Sequence, residues 1–481
     1  MTRPPRPRPA RAALRRARRV LASAGLLLAV VSAARAQAPA TPAAGAPAGT
    51  RPLAPTPIRL ERYQLSNGLT VILAPDRSSQ VVAVDVWYDV GARDEKPGRT
   101  GFAHLFEHMM FQGSANVKKG EHFQLVERAG GEMNGSTRAD VTNYYQSLPS
   151  NRLNLGLWLE ADRMRSLAVT AENLQNQKEA VKEEKRLRFD NQPYVGTLLE
   201  ALAGAYDPRT CFAYGHLLIG SMADLDSASV DDVRGFFRTY YAPNNATLVV
   251  TGDFDSAEAK RLVTQYYGDI PRAAPPPPVA CEQPFGGGQQ RRTVTDAKAT
   301  LPAVLSVYRI PEYKSADLPA LTLLNIILGG GESSRLNRAV VRDARAAVAV
   351  QTLLNPVGPT RGPGLFGVLG IANQGVRPDS LERLMAAQVA RVAAEGVSEA
   401  ELAKARNGYL AERIDGLQRN LAKAEAIHTA NTFLGDPNAV NTDLQRFAGV
   451  TAADIQRVAK TYLVPANSVI VLIAPPEAAK P

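Results

Sequence analysis

Two stretches of the chain, DVRGFFRTYYAPNN at residues 232–245 and DIQRVAKTYLVPAN at residues 454–467, align with each other without gaps. Each has a helical pattern, then a turn containing proline and asparagine, then a β-rich run (246–251 and 468–473). Helix–turn–strand sequences can resemble one another by chance, but the identities in fixed register favour an internal duplication. The residues that recur are Asp232, Thr239, Tyr240, Pro243 and Asn245, and their counterparts Asp454, Thr461, Tyr462, Pro465 and Asn467.

A proline- and glycine-rich segment, PRAAPPPPVACEQPFGGGQQ at residues 271–290, lies between the two copies. Its four consecutive prolines disfavour a helix and cannot form a central strand, so it is expected to be a semi-rigid linker. The sequence therefore predicts two homologous αβ domains, at 58–270 and 291–476, joined by this linker.

The first of these domains opens with a β-hairpin pattern. Arg59 to Leu65 and Leu69 to Ala74 flank the turn sequence Ser-Asn-Gly, in which Asn-Gly supports the positive φ of a tight turn. Val81 to Tyr88 alternates well enough to predict another strand, and longer helical patterns follow it. The predicted fold class is therefore α+β, with a duplicated unit of one sheet and its helices.

Nearly all of the net charge of +10 lies at the N-terminus. Residues 1–36 contain nine arginines and no acidic residue, which leaves 47 basic and 46 acidic side chains in the rest of the chain. A nearly neutral body has no electrostatic reason to bind phosphate backbones, so we expect no nucleic-acid partner.

The same N-terminal stretch has the three parts of a secretory signal peptide. Arginines up to residue 19 precede an apolar run from Val20 to Ala34, and Ala34-Arg35-Ala36 forms a small-x-small cleavage pattern. The apolar run is too short for a membrane anchor, which is the alternative. We predict a signal peptide at 1–36, a disordered Pro/Ala-rich segment at 37–57, a periplasmic or secreted protein, and no membrane span in the mature chain; Arg18-Arg19 leaves twin-arginine export open.

Two cysteines, Cys211 and Cys281, are too few and too far apart for a cysteine-based zinc site. Outside the cytosol they could form one disulfide, but the sequence alone does not decide whether they do.

The segment GFAHLFEHMMFQ at residues 101–112 contains the spacing His104-x-x-Glu107-His108 in a helical pattern. Residues four apart share a helix face, so both imidazoles can bind one metal ion. Glu107 lies on the neighbouring stripe, close to the ion without having to bind it. A chance occurrence as ordinary core residues is the alternative, and the rarity of histidine in this chain argues against it. The remaining histidines, His122, His216 and His428, have no sequence neighbours that suggest a role.

A zinc site of two histidines needs a third protein ligand. Residues 170–189 predict a helix capped by Thr170, and its apolar stripe through Leu174 and Val181 also carries Gln177 and Glu184. A carboxylate on a buried stripe needs a partner, and a metal would be one. On pattern alone, Glu184 as a ligand and Glu184 as an ordinary exposed residue are equally plausible.

The sequence resembles the pitrilysin/insulinase-type metallopeptidases, which include the mitochondrial processing peptidases. HLFEH matches the family's inverted zinc motif. The resemblance spans nearly the whole mature chain, and three further segments are similar to segments of the family. These are Leu65-Ser66-Asn67-Gly68-Leu69, the Gly-Gly-x-x-Asn segment 130–134 that leads to Asp140-Val141-Thr142-Asn143-Tyr144, and LGGGESSRL at 328–336.

This resemblance implies a zinc endopeptidase and assigns roles to individual residues. The family's third ligand lies about 76 residues beyond the second motif histidine, which is the separation of His108 and Glu184. It implies Zn²⁺ on His104, His108 and Glu184, with Glu107 accepting a proton from the attacking water. The family often has a glutamate where this chain has Gln177, which can still orient a ligand by hydrogen bonding. Asn134 is the candidate peptide contact on an edge strand; an ordinary turn asparagine is the alternative.

One departure from the family concerns the second domain. The family usually has an Arg and a Tyr, seven residues apart, after the Gly-rich signature, and these hold the substrate. In this chain the corresponding positions are Val341 and Val348; Arg342 is adjacent, but no tyrosine follows nearby. Since some family members divide the zinc motif and the Arg/Tyr pair between two chains, we expect a dimer, with a homologous partner subunit that supplies the pair.

Two other functions remain open at this point. A non-catalytic peptide-binding or scaffold subunit would keep the fold without the chemistry, although such members usually lack motif residues. A metal-dependent hydrolase of a non-peptide substrate would keep the metal site and differ only in what it cleaves.

Overall fold

The structure is a computed structural model that describes residues 56–476. The predicted signal peptide and nearly all of the predicted disordered segment lie outside the described residues. The elements of the first half are β1 (Glu61–Gln64), β2 (Thr70–Pro75), β3 (Val81–Tyr88), α1 (Phe102–Met109), α2 (Glu121–Arg128), β4 (Glu132–Thr137), β5 (Thr142–Pro149), α3 (Leu153–Ser166), α4 (Ala171–Lys185), α5 (Val195–Ala203), α6 (Met222–Ser227), α7 (Val230–Tyr240), β6 (Ala246–Gly252) and α8 (Ser256–Tyr267).

The second half repeats much of this order. Its elements are β7 (Gln290–Thr295), β8 (Ala303–Ile310), α9 (Leu318–Gly329), β9 (Ala347–Leu354), β10 (Gly364–Ala372), α10 (Pro378–Glu395), α11 (Glu399–Gly416), α12 (Asn420–Thr429), α13 (Ala439–Ala448), α14 (Ala452–Tyr462) and β11 (Ser468–Ala474). No helix among the described residues is both long enough and apolar enough to cross a membrane.

Each half contains one mixed sheet, and the two sheets share the order of five equivalent strands, to which the first sheet adds β1 at its edge. The first has the strand order β1-β2-β6-β3-β5-β4 and the second β7-β11-β8-β10-β9. Among the described strands, each sheet has one parallel pair, β2 with β6 in the first sheet and β7 with β11 in the second, and these two pairs occupy equivalent positions. Strands β3, β5 and β6 begin at residues 81, 142 and 246, and β8, β10 and β11 begin at 303, 364 and 468, so the three starts are displaced by the same amount as the sequence repeat. The α+β class and the duplicated unit are confirmed.

The aspartates that recur in the two copies cap equivalent helices. Asp232 forms a capping box with Ser229 at the start of α7, and Asp454 forms one with Thr451 at the start of α14. In each box the hydroxyl accepts from the aspartate backbone N–H while the carboxylate accepts from the cap residue, so two otherwise unpaired donors are satisfied. The duplicated sequence therefore encodes the same helix start twice.

The recurring asparagines fix the turn between helix and strand. Asn245 Nδ2 donates to the carbonyl of Tyr240 at 2.8 Å, and Asn467 Nδ2 donates to the carbonyl of Tyr462 at 2.8 Å. Both asparagines thus satisfy a carbonyl at the C-terminus of the preceding helix, which would otherwise lack a partner. Strands β6 and β11 follow immediately.

Each sheet is covered on one face by a helix from the other half. Helix α12 packs on the first sheet through Ala424 and Ile427, which contact Ile72 and Val249 in one buried cluster. Helix α5 and the turn after it pack on the second sheet, in a cluster that includes Leu202. The other face of each sheet carries that half's own helices, so the two halves share their buried apolar surface.

The segment between the halves has neither helix nor strand from 271 to 289, as its prolines predict. The structure joins Cys211 and Cys281 in a disulfide, which ties this segment to the loop after α5. The predicted hairpin is confirmed, because β1 and β2 pair as antiparallel neighbours. The domain boundaries at 58–270, 271–290 and 291–476 remain predictions.

Candidate metal centre

The two motif histidines lie on α1, a helix of eight residues. Its apolar side, which includes Leu105, Phe106 and Met109, is buried against the core of the first half. His104 and His108 occupy one stripe of the helix, and their ring centroids are 4.9 Å apart. The predicted i, i+4 arrangement is therefore present in the folded chain.

The candidate third ligand lies on α4. Thr170 is the N-cap and its side chain accepts from the backbone N–H of Asn173, as predicted. Leu174, Gln177 and Val181 are buried, and Glu184 continues their stripe at the end of the helix. Helices α1 and α4 pack against each other, so this stripe faces the two histidines.

The structure brings the three predicted ligand side chains together. Glu184 Oε2 lies 3.1 Å from His108 Nε2 and 3.7 Å from His104 Nε2. One ligand atom from each of the three residues can be chosen so that all lie within 4.8 Å of one another. Two imidazole nitrogens and one carboxylate oxygen form a common catalytic zinc donor set, with a coordination position left open.

The hydrogen bond between His108 Nδ1 and Gln177 leaves His108 Nε2 available to bind a metal ion. His108 Nδ1 lies 3.3 Å from Gln177 Oε1, which only accepts, so Nδ1 carries the proton. Burial alone would lower the pKa of His108, but the hydrogen bond of its Nε2 to the Glu184 carboxylate and the charges of Glu107 and Glu184 raise it. A metal cation between Nε2 and the carboxylate would take the place of the shared proton. Gln177 therefore lies where it was predicted, and Asn176 holds its amide through a 2.7 Å hydrogen bond.

The protonation of the cluster suits metal binding. Burial lowers the pKa of His104 to about 3, with the neighbouring His108 adding to the effect, so His104 is neutral at pH 7. Burial alone would raise the pKa of Glu184, but the hydrogen bond to His108 and the nearby cationic groups, including Arg188, lower it to about 2. The site thus presents an unprotonated imidazole and an ionised carboxylate.

Glu107 lies beside the cluster without being one of the three grouped side chains. Thr137 Oγ1, at the end of β4, donates to Glu107 Oε2 at 2.7 Å. Burial raises the pKa of Glu107, and His108 and the Thr137 hydrogen bond oppose that shift. A carboxylate with a raised pKa can both take up and return a proton near neutral pH.

Asn134 is not brought into the cluster. It lies within β4 and pairs in register with Tyr145 of β5, and its side chain interacts with that tyrosine. Since side chains alternate along a strand, Asn134 and Gly135 point to opposite faces, and Gly135 is the one that faces Glu107. The turn interpretation of Asn134 was wrong. Strand β4 is the outer strand of the first sheet, with β5 as its one neighbour among the described strands.

The second half has two valines at the positions predicted for the Arg/Tyr pair. Val341 lies in a short π-helical segment, Asn337–Asp343, and Arg342 beside it is exposed. Val348 lies on β9, the outer strand of the second sheet, and is 50% exposed.

Several residues near the centre were not predicted from the sequence. Arg188 Nη1 lies 2.6 Å from Glu184 Oε1, one turn beyond the ligand on the same helical path. Glu95, a fully buried carboxylate, reaches the start of α1 and also contacts His216. The i, i+4 spacing of Glu184 and Arg188 was a usable signal, whereas the pairing of Glu95 with His216 spans 121 residues and had none.

Two family descriptions match parts of this chain. Residues 70–203, which include His104 and Glu184, match the family described as Insulinase (Peptidase family M16). Residues 227–409 match the description Peptidase M16 inactive domain. The metal cluster thus lies in the part that matches the peptidase description.

Similar proteins include zinc protease PqqE of Helicobacter pylori, which is 30% identical over 424 residues, covering 86% of this chain and 93% of that protein. The crystal structure of a protease from Helicobacter pylori has a TM-score of 0.82 at 28% identity, over 87% of this chain and 100% of that one. The first half of the periplasmic protease PqqL from Escherichia coli shares the fold, with a TM-score of 0.70 at 17% identity over 88% of this chain and 93% of that one. The chain belongs to peptidase family M16, the insulinase family.

Proposed function

We propose that this protein is a zinc-dependent endopeptidase of the cell envelope that cleaves peptides or unfolded polypeptides together with a homologous partner subunit. The observation that carries the proposal is the convergence of His104 and His108 from α1 with Glu184 from α4, with Glu107 beside them. The name zinc protease of the related PqqE supports the choice of metal and reaction.

In this proposal His104, His108 and Glu184 hold Zn²⁺. Bound there, the ion would supply Lewis acidity that activates a water molecule and polarises the peptide carbonyl. Glu107 accepts the proton of the attacking water on its carboxylate and then donates it to the leaving amide nitrogen. The Thr137 hydroxyl binds Glu107 Oε2 and leaves Oε1 as the atom that carries the proton.

The outer strand β4 is the proposed site of peptide binding. An extended peptide can add to the free edge of β4 through main-chain hydrogen bonds, which accept many sequences. Because β4 also carries Gly135 and Thr137, which face Glu107, a peptide on this edge would run past the metal cluster. Asn134 is the proposed side-chain contact.

Export to the periplasm or outside the cell is proposed from the signal-peptide pattern of residues 1–36. The Cys211–Cys281 disulfide supports an oxidising compartment. The partner subunit is proposed because Val341 and Val348 occupy the positions of the substrate-holding Arg and Tyr.

One observation favours a second candidate, a peptide-binding or scaffold subunit of the same fold. Residues 227–409, which include much of the second half, match the inactive-domain description, and the second half has no Arg/Tyr pair at the expected positions. This candidate predicts peptide binding without turnover, even when the chain is isolated with its partner.

Zinc content and the Glu107→Gln variant test the proposal. The purified protein should contain about one zinc per chain. Glu107→Gln should keep that zinc and lose peptide cleavage by about 10²- to 10⁴-fold, because the amide cannot take up the proton. Glu183→Gln, an exposed neighbour of the ligand on α4, is the matched control and should retain both. Full activity in Glu107→Gln would show that Glu107 is not the catalytic base. A wild-type protein without zinc and without activity would favour the scaffold function.

The partner is tested separately. Co-expression with a homologous chain should raise cleavage of an unfolded polypeptide well above that of the chain alone, and the two chains should elute together in size-exclusion chromatography. Equal rates with and without the second chain would contradict the two-chain proposal and leave the zinc site unaffected.

A further inference from the structure

The N-terminus of α1 lacks the usual capping side chain. The N-cap is Gly101, with φ of +83°. A Cβ at this position would lie 2.7 Å from the carbonyl oxygen of Ile219, so serine, threonine or aspartate cannot take its place without strain. The first N–H groups of the helix therefore need an acceptor from elsewhere.

Glu95 supplies that acceptor from outside the helix. Its Oε2 accepts from the backbone N–H of Gly101 at 2.8 Å, and its Oε1 accepts from that of Ala103 at 2.8 Å. The side chain is fully buried. A carboxylate at this end of a helix also interacts favourably with the helix dipole. Ala103, which donates to Oε1, is the residue immediately before His104.

His216 holds Glu95 in this position. Its Nε2 lies 2.9 Å from Glu95 Oε2, and its Nδ1 lies 2.8 Å from the carbonyl oxygen of Phe212. Both ring nitrogens face acceptors, so the ring donates from both as an imidazolium. Phe212 directly follows the disulfide-bonded Cys211, and the disulfide anchors this loop.

We propose that Glu95, held by His216, is a positioning residue that fixes the first turn of α1 and with it the metal-binding nitrogen of His104. The inference rests on the proposed zinc site. With only eight residues, α1 has two turns, so a displacement of its first turn moves His104 relative to His108 and Glu184. Outer groups that orient a ligand in this way typically contribute 10- to 100-fold, in order of magnitude, to metal affinity.

The second half offers a matched control. Asp317 occupies the position equivalent to Glu95 in the register of the repeat. It lies at the start of α9, the counterpart of α1, and pairs with Arg457 and Tyr462. Among the described residues, no candidate metal ligand lies on α9. Asp317→Asn therefore makes the same carboxylate-to-amide change at the start of the equivalent helix, away from the metal cluster.

The test is a zinc titration of the full metal-free chain against a chromophoric chelator, with the absorption spectrum of the Co²⁺-loaded protein as a second readout. Glu95→Gln should weaken zinc binding by about 10- to 100-fold and alter the Co²⁺ spectrum at saturation. Asp317→Asn should lower the unfolding temperature without changing either readout. If Glu95 only stabilises the fold, Glu95→Gln will, like Asp317→Asn, lower the unfolding temperature and leave zinc affinity and the Co²⁺ spectrum unchanged. This result would overturn the inference.

His216→Gln keeps the carboxylate and removes its partner, so it serves if Glu95→Gln does not fold. It should weaken zinc binding by a smaller factor, about 3- to 10-fold. Unchanged zinc affinity and Co²⁺ spectrum in His216→Gln would then overturn the inference. Zinc bound equally well by the wild type and by a folded Glu95→Gln would refute only the positioning role, whereas a wild type that binds no zinc would refute the proposed function as well.

Discussion

The two halves of this protein share the order of five equivalent strands, but only the first carries a candidate metal cluster among the described residues. In the first half, α1 and α4 bring together two imidazoles and a carboxylate. In the second half, the corresponding α9 and α11 also pack against each other, but they bury leucines in a continuous apolar core, among them Leu321, Leu324 and Leu402.

This difference shows that the duplicated unit determines the backbone fold of each half but not whether that half has a metal site. Both halves place a helix after an equivalent strand, α1 after β3 and α9 after β8, and pack a later helix against it. Whether that contact forms a metal site depends on three side chains. The second half has instead retained the structural elements of the repeat, such as its capping boxes and its asparagine-linked turns.

The largest expected effect comes from removing a ligand in the first half. Glu184→Gln should weaken zinc binding by more than about 100-fold, beyond the loss expected for an outer group, and should abolish peptide cleavage. Arg406→Gln, at the position of α11 equivalent to Glu184 in the repeat, is the control in the second half. Arg406 donates to the Val450 carbonyl at 2.6 Å, so its loss should cost about 1 kcal/mol of stability and leave zinc binding intact. Equal loss of zinc in both variants would show that the ligand assignment is wrong.

The disulfide has no counterpart in the second half, since the chain contains two cysteines. It closes a loop of 70 residues, and in the chain-entropy view such a cross-link stabilises the fold by about 4 kcal/mol. The double variant Cys211→Ser/Cys281→Ser should lower the free energy of unfolding in urea by about that amount. A loss below about 1 kcal/mol would mean that the linker is held in place without the covalent bond.

The smallest expected effect is a pH dependence of the free energy of unfolding that comes from the start of α1 and not from the start of α9. Burial alone would lower the pKa of His216, but the hydrogen bond and charge of Glu95 outweigh it and raise the pKa above 6.5. Protonated His216 therefore stabilises the fold fully below pH 6.5, and this contribution is lost as pH rises through the higher folded-state pKa. The loss should be about 1.5 kcal/mol, the usual contribution of a hydrogen bond to a charged group.

Urea unfolding of the zinc-loaded protein at pH 6 and pH 9 measures this loss. His216→Gln should have a flatter pH dependence than the wild type, whereas Asp317→Asn should retain the wild-type slope. Identical slopes in all three proteins would contradict a protonated His216.

Much of the fold could be read from local sequence patterns. The alternation of Val81–Tyr88, the Asn-Gly turn and the Thr170 cap each depend on neighbouring residues, and each is found where predicted. The gapless match of 232–245 with 454–467 likewise predicted the equivalence of the two halves. The turn interpretation of Asn134 failed because pairing with β5 overrides the preference of the Gly-Gly-containing segment for a turn.

The site was only partly predictable for the same reason. His104, Glu107 and His108 share one short helix, so their spacing carried the prediction. Glu184 required the resemblance to a family, because helical periodicity gives the face of α4 but not the helix against which that face packs.

The sequence by itself determined the duplicated unit, the helix faces that carry the histidines and the stripe that carries Glu184, because these follow from the periodicity of the backbone. Only the tertiary structure decided that α4 packs against α1, that Glu95 reaches the start of α1, that His216 meets Glu95 and that the two cysteines are joined. Those contacts join residues distant along the chain, and their geometry is set by the packing of whole helices and loops on the sheet.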